Sequence, residues 1–568
     1  MQRDHGCENV MSSGTQNSRA PLRVGLLLHD QVSPRWIHET IVHLLSAEHV
    51  ELVVIIFDGG EHGHRHSLLF RLWTTVDRWL FGKQLDLLAR ERKTYPVPTI
   101  ILPARTGNRK CVTPDGEIEK VRAFNLDILV KLGSCDLPGT IVTCAKYGMW
   151  GFLYNGYTNA EADVALFYNL NAGRSTYELT LLAETRSQPR VLYRSTLHSD
   201  LFSLHRTLIV DCRRRSQILL QSIWELYQHG WPKVITGSAD EDIVKAPVQT
   251  ASVSGIMPEF ITSWFVRSLG RLCRRICFRE QWVLAYCKAC SGANMAQRRW
   301  GPLTIVAPSR GQNYADPFLF ERCGQTYVFF EQFADNRPGT ILCAQLYGNG
   351  TLGEIQQVLA KDYHLSYPFV FEWRGDTYLL PESFDNRTVE VYVSIDFPQR
   401  WELATVLLRN VTAADPTIVE HNGKLWLFVS GLGGAETEFS ELYLFFADSL
   451  FGEWRPHPLN PIVRDVRRAR PAGRLFFEGD HLIRPGQDCS KCYGHSISLN
   501  RVDVLTETDF METPLRTILP NWLPRVSATH TFNQGGDFTV LDGMVLVHRW
   551  SPSRWKPRAL QPIFATAV

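Results

Sequence analysis

Three copies of one short pattern, set almost evenly along the C-terminal half, restrict what this chain can fold into. They read Asp316-Pro317-Phe-Leu-Phe-Glu321, Tyr367-Pro368-Phe-Val-Phe-Glu372 and Asp415-Pro416-Thr-Ile-Val-Glu420. The steps, 316 to 367 and 367 to 415, are 51 and 48 residues, a spacing that suits one blade of a β-propeller. Each copy begins on a proline, which is tolerated at the first residue of a strand because that position need not donate to the ladder. A glycine turn follows (Gly324, Gly375, Gly423), then a return strand: Tyr327-Val-Phe-Phe-Glu331, Tyr378-Leu-Leu-Pro-Glu382 and Leu425-Trp-Leu-Phe-Val-Ser430. Two weaker hairpins, Arg474-Leu-Phe-Phe-Glu-Gly479 to Ile483 and Phe538-Thr-Val-Leu-Asp-Gly543 to His548, raise the number to five. A five-bladed propeller is expected over 298–568.

At 568 residues the chain should hold more than one domain. Leu22-Arg-Val-Gly-Leu-Leu-Leu28 and Glu51-Leu-Val-Val-Ile-Ile-Phe57 read as buried strands, with helical periodicity from Ile37 to Leu45 between them. Asp127-Ile-Leu-Val-Lys-Leu132 is a later strand that turns at Gly133. Strands alternating with helices predict a Rossmann-type parallel sheet. The expected order is a polar, disordered tail over 1–22, an α/β domain over 23–235, a helical linker over 236–297, and the propeller. A net charge of +2 gives no case for nucleic acid as a partner. No apolar run approaches the roughly 20 residues of a membrane-spanning helix. The first twenty residues lack the apolar stretch of a secretory signal. Thirteen cysteines, without disulfide-framework spacing, fit a reducing cytosol.

The repeat frame separates scaffold from candidate chemistry. Glu321, Glu372 and Glu420 occur in every copy and are expected to cap turns or bridge strands. The residue before the proline varies (Asp316, Tyr367, Asp415), as does the residue fifteen places on (Glu331, Glu382, Ser430). In a propeller the innermost strands converge on an axial channel, so acids far apart in sequence can meet there. Carboxylates sharing a concave, partly desolvated pocket have their pKa values driven apart, the arrangement that glycoside cleavage uses. Asp316, Glu382 and Asp415 are therefore the catalytic candidates, and turn formation by Asp before Pro is the plain alternative. Glu331 competes for the acid role. His364, Arg484, Gln487, Asp488, His495 and His530 are expected to fringe the funnel and bind substrate. The Arg484-Pro-Gly-Gln-Asp488 loop suits hydroxyls or an anionic sugar. Trp373, Trp401, Trp426 and Trp550 offer stacking surface, with core packing the plainer fate.

Two resemblances follow from these residues. Asn125-Leu-Asp-Ile-Leu-Val-Lys-Leu-Gly133, Leu137-Pro-Gly139, Tyr147-Gly148 and Arg190-Val-Leu-Tyr-Arg-Ser195 together resemble the formyltransferase fold. That resemblance implies a folate-type formyl donor and an Asn, His and Asp trio. The trio's positions hold Gly151, Leu153 and Ser187, which can neither polarise a formyl group nor relay a proton. The nearest substitutes are Tyr154, Asn155 and Asn159. A degenerate domain kept for structure or binding is the expected outcome. The propeller motifs resemble glycoside hydrolase family 43, and more nearly the N-terminal domain of plant glucosamine inositolphosphorylceramide transferases. The family 43 resemblance implies Asp316 as general base, Glu382 as general acid, and Asp415 as the group that holds the acid's pKa up. It implies no cofactor.

Cysteines raise the question of a metal. Cys273 and Cys277 precede Cys287-Lys-Ala-Cys290, and this pair and Cys489-Ser-Lys-Cys492 both have zinc-knuckle spacing. No two tight pairs stand at ribbon spacing and 273–290 reads as helix, so no metal is expected. Ile261 to Arg279 is basic with Trp, Phe and Leu interleaved. Such a helix suits the surface of an anionic bilayer, and packing between domains accounts for the same face. Three functions are carried forward. The first is a carbohydrate-active or carbohydrate-binding propeller in surface polysaccharide or glycolipid metabolism. The second is an amino-sugar N-formyltransferase whose propeller recognises the acceptor. The third is a non-catalytic scaffold.

Overall fold

The computed structural model describes residues 19–58, 67–82, 86–102, 115–132, 139–155, 162–231, 253–288, 302–335, 337–434 and 437–550. Most of the polar tail, Gly133, Leu137, Asn159 and Cys290 lie outside them. The chain divides into two compact units at residues 269/270.

The N-terminal unit is built on one seven-stranded sheet. Its order is Thr99–Ile101, Val50–Phe57, Leu22–Leu28, Ile128–Lys131, Met149–Tyr154, Thr176–Glu184 and Arg190–His198. The first five strands are parallel, and Thr176–Glu184 runs against both its neighbours. A parallel sheet is covered on both faces, which is why its strands read as continuous apolar runs. Alternate residues show the two faces. Val24, Leu26 and Leu28 pack with Trp36, Ile37 and Ile41 of the Arg35–Ser46 helix, whereas Leu27 packs with Ile118, Val121 and Ile141.

The C-terminal unit is a five-bladed β-propeller. Blades one to four are four-stranded meanders: Asn313–Arg322 to Gln356–Leu359, Ser366–Trp373 to Arg400–Arg409, Ala414–His421 to Arg455–Pro456, and Phe476–Glu478 to Phe510–Ile518. The first strands of neighbouring blades pack on one another, 313–322 against both 366–373 and 532–535. Hairpins in the three repeat blades close through Cys323-Gly324, Arg374-Gly375 and Asn422-Gly423. Both residues of each pair have positive φ, the type I′ turn that matches strand twist.

Three expectations are corrected. The repeat proline does not open its strand. Pro317, Pro368 and Pro416 lie inside the first strand of each blade, at register shifts between Ala315 and Phe318, Ser366 and Phe369, and Ala414 and Thr417. A bulge tolerates proline because the extra residue is left out of the ladder. The fifth blade is not a hairpin turning at Gly543. Phe538–His548 is one strand, and Gly543 is needed because a Cβ there would lie 2.4 Å from the Trp522 ring. Nor is the linker helical to residue 290. Its helix, Val253–Cys277, gives way to the strand Phe278–Lys288, which pairs with Phe538–His548 and with Thr304–Val306. The fifth blade thus joins strands from both ends of the propeller sequence. Glu321, Glu372 and Glu420 stand exposed at strand ends.

Candidate functional site

The bulge aims the site. At each one the residue before proline adopts a left-handed backbone: Asp316 at φ 51°, Tyr367 at 46° and Asp415 at 50°. Asp visits this region readily, but a bulky Tyr does so against about 1–3 kcal/mol of strain. The acid slots lie directly across the hairpin from the residue preceding each bulge, with Glu331 opposite Ala315, Glu382 opposite Ser366 and Ser430 opposite Ala414. The two slots of each blade therefore face the axis together.

On one side of the funnel, Asp415 is clasped by Arg470. Arg470 Nε donates to Asp415 Oδ2 at 2.6 Å and its Nη2 to Oδ1 at 3.3 Å. Gln487 Nε2 donates to the same Oδ2 at 2.7 Å. Glu382 Oε2 accepts the Asp415 backbone N–H at 2.9 Å and lies 3.5 Å from Arg470 Nη2. Burial, then the negative charge of Asp415, push the Glu382 carboxyl well above the usual range, and Arg470 only partly opposes them. Burial and Asp415 thus bias the Glu382 carboxyl toward its protonated form. Arg470 also pairs with Glu438 and lies under the rings of Phe439 and Tyr493. Tyr493 is itself 43% exposed.

On the other side, Asp316 Oδ1 accepts from Thr531 Oγ1 at 2.5 Å and sits 3.8 Å from His530 Nδ1. Asp542 organises this half. Its Oδ1 accepts the N–H groups of His530 and Thr531, and its Oδ2 accepts the Asp316 N–H and lies 2.5 Å from His530 Nδ1. Trp282 stacks on the His530 ring at 4.1 Å. Burial lifts the Asp316 carboxyl to about 7, with Asp415, Glu331 and Asp542 adding to the rise and the His530 cation opposing it. Burial alone would lower His530, but Asp542 and Asp316 outweigh it and raise the imidazole to about 9. Asp316, His530 and Asp542 offer atoms within 4.8 Å of one another, a spacing a cation could use. In this structure those atoms serve hydrogen bonds and the His530–Asp542 pair.

The triad implies a pH dependence. His530 keeps its proton in the folded state up to about pH 9, whereas the unfolded imidazole loses it near 6.5. Its contribution is complete below pH 6.5 and disappears as pH rises through 9; Asp316, raised from 3.8 to about 7, favours lower pH in the same way. Urea unfolding of the propeller is expected to show a loss of up to about 3 kcal/mol between pH 6.5 and 9. His530→Gln should flatten that slope.

The remaining candidates divide cleanly. His364 Nε2 donates to Glu331 Oε1 at 2.8 Å, while its Nδ1 accepts the Gly339 N–H at 3.0 Å. Burial raises the Glu331 carboxyl and the His364 bond opposes the rise. Gln487 belongs to the site as the group that positions Asp415. Arg484 does not: it is buried within blade four, donating to Glu512 at 2.7 and 2.8 Å and to the Arg468 carbonyl. Asp488 closes its own loop by accepting from Ser490 N–H and Ser496 Oγ. His495 is half-buried in that loop, its imidazole pulled down by burial and Lys491. Trp401 and Trp426 are core residues. Arg470, Asp542, Thr531, Glu438 and Trp282 escaped the sequence reading because they lie outside the repeat frame. Only the apolar run around Trp282, read as strand, would have placed it in a blade.

In the N-terminal unit, Gly151 and the buried Leu153 sit on the Met149–Tyr154 strand, and Ser187 lies in the turn after Thr176–Glu184. Two of the nearest substitutes are engaged structurally. Tyr154 donates to the buried Asp211 at 2.7 Å, and Asn155 Oδ1 accepts the Glu178 N–H at 2.9 Å.

Residues 304–522 match the family model described as glucosamine inositolphosphorylceramide transferase 1, N-terminal. Glucosamine inositolphosphorylceramide transferase 1 of Oryza sativa subsp. japonica is 36% identical over 224 residues, which cover 38% of this chain and 30% of the relative. The Arabidopsis thaliana protein of that name is 35% identical over 205 residues, covering 35% and 26%. The chain thus spans less than a third of the length of these relatives. Among solved structures, Zg3597, a family 117 glycoside hydrolase of Zobellia galactanivorans, aligns at 12% identity with a TM-score of 0.32, over 48% of this chain and 91% of that one. Bacillus subtilis arabinanase Arb43A aligns at 15% identity with a TM-score of 0.29, over 40% and 93%. At such scores the likeness adds nothing to the architecture, which the five sheets define by themselves. The sequence matches, not the structural ones, carry weight: residues 304–522 are similar to the N-terminal region that the family model describes, and a stretch of similar length is 36% identical to the Oryza sativa relative.

Proposed function

We propose that the propeller binds a carbohydrate in its axial funnel and carries out acid–base chemistry on it, as part of glycan or glycolipid metabolism. One observation carries this reading: Glu382, whose carboxyl burial and Asp415 push up, stands beside an Asp415 fixed by Arg470 and Gln487, with Asp316 on another bulge of the propeller. In this scheme Glu382 gives its proton to a departing or bridging sugar oxygen. Asp316 accepts one from the attacking hydroxyl, and Asp415 keeps Glu382 protonated. The relatives' name, which couples glucosamine to a ceramide lipid, is consistent with a sugar in this place.

Charge indicates which sugar. Among the described residues, Asp415 and Glu438 pair with Arg470, Asp542 with His530 and Glu331 with His364, so none of these basic groups is left unpaired for an acidic sugar. Arg484, the group that would have suited an anionic sugar, is buried elsewhere. The funnel therefore favours a neutral or amino sugar over an acidic one. Formyl transfer is not proposed for the N-terminal unit, because Leu153 stands where an imidazole is needed and Tyr154 and Asn155 are engaged.

Calorimetric titration of the full chain with neutral, amino and uronic-acid oligosaccharides tests this. Binding to a neutral or amino sugar, weakened by Tyr493→Ala, is the expected result. A preference for the acidic series, or binding that ignores funnel substitutions, would refute it.

A further inference from the structure

Two helices turn apolar side chains to water, Leu68–Phe81 in the N-terminal unit and Val253–Cys277, of which 253–269 belong to that unit. Leu68–Phe81 starts at Ser67, whose hydroxyl accepts the Phe70 N–H at 3.3 Å. It buries Phe70 and Trp73 against the domain and exposes Leu69, Leu72, Val76 and Trp79, the last by 81%. Spacings of three, four and three residues put these four on one stripe. The Val253–Cys277 helix lies beside it, with the Phe260 ring 4.7 Å and the Trp264 ring 6.3 Å from Trp73. Beyond Trp264 this helix exposes Phe265, by 61%, with Val266 and Leu269, and helical spacing carries the same stripe to Leu272 and Ile276. A globular helix normally buries its apolar stripe, so a patch of this size marks a binding surface.

The charges around the stripe indicate what covers it. Arg71 is exposed on the first helix, and Arg271, Arg274 and Arg275 on the second. No Asp or Glu occurs from residue 260 to 279, and the exposed Glu259 and Glu280 stand at the two ends of that stretch. The single acid of the first helix, Asp77, is buried, accepts the His205 N–H, and has its carboxyl raised by burial to about 6. Aromatic and aliphatic side chains bordered by arginines complement an anionic bilayer, where rings enter the acyl boundary and guanidinium groups meet phosphate. None of the described helices is long and apolar enough to cross a membrane, so the contact is one of lying on the surface.

We infer that the Leu68–Phe81 and Val253–Cys277 helices together seat this protein on an anionic lipid surface. The inference is independent of the funnel chemistry. Its test is co-sedimentation of the full chain with vesicles of phosphatidylcholine alone or mixed with phosphatidylserine. Binding to the mixed vesicles is expected, weakened by salt. Leu72→Asp with Trp79→Asp should reduce it about tenfold or more, and Arg274→Ser with Arg275→Ser should remove the preference for phosphatidylserine. Circular dichroism and sugar binding, unchanged in these variants, would show that fold and funnel survive. Two outcomes would overturn the inference: no association with either vesicle, or a dimer in light scattering that Trp79→Asp dissolves, which would make the patch an interface between copies.

Discussion

Replacing Arg470 by Met is expected to cost the propeller about 3–5 kcal/mol, the largest stability loss foreseen for any single substitution in it. Arg470 is buried and is the shared partner of Asp415, Glu382 and Glu438. Methionine fills part of the volume but leaves Asp415 in a desolvated place with Gln487 and the Glu382 carboxyl as its neighbours. The cost is the penalty of stranding that carboxylate, not the net worth of the ion pair, and these can differ in sign. A second substitution separates them. Adding Asp415→Asn removes the stranded charge, so the double variant should recover much of the loss, a non-additivity that a double-mutant cycle reads directly. Urea unfolding followed by tryptophan fluorescence measures all three. A single variant within about 1 kcal/mol of the parent would show that water already solvates the cluster.

Glu382→Gln is expected to lower turnover of a funnel substrate by about 10²–10⁴-fold while leaving stability nearly unchanged. Glutamine reproduces the shape of a protonated glutamic acid, and its carbonyl can still accept the Asp415 N–H. It cannot give up a proton to a sugar oxygen. Because burial and Asp415 push the Glu382 carboxyl toward its neutral form, the substitution removes the transferable proton with little change in the charge of the folded state. Sugar affinity should hold while kcat falls, so a loss in KM alone would argue for a binding funnel without chemistry. Asp316 gives an independent check. Acting as a base it must be ionised, so the acidic limb of the pH profile should lie near 7, the value to which burial lifts it. A limb near the ordinary aspartate value would exclude Asp316 from that role.

Much of the architecture was legible because it repeats or alternates. Evenly spaced Pro-apolar-Glu segments with X-Gly turns disclosed three blades, and apolar runs separated by helical periodicity disclosed the parallel sheet. The misreadings share a cause. A fully buried run such as Trp282–Cys287 carries no period of two or 3.6, so nothing local tells strand from helix. Gly543 looks like a turn until Trp522 is seen against it. Of the ten candidate site residues, Asp316, Glu331, His364, Glu382, Asp415, Gln487 and His530 do enter the acidic network of the funnel. Arg484, Asp488 and His495 do not, because loop composition says nothing of which way a blade faces.

The order of residues by itself determined the blade spacing, the hairpin turns and the variable acid slots, since each copy is written within about fifteen residues and the copies recur after 51 and 48. Only the tertiary structure decided that the prolines sit in bulges, that the fifth blade closes with strands from both ends of the domain, and that Arg470 and Asp542 organise the acids. Those features depend on groups far apart in sequence, such as Asp415 with Arg470 and Asp316 with Asp542. Their protonation states are set by desolvation and mutual charge, and neither exists until the ring of blades has closed.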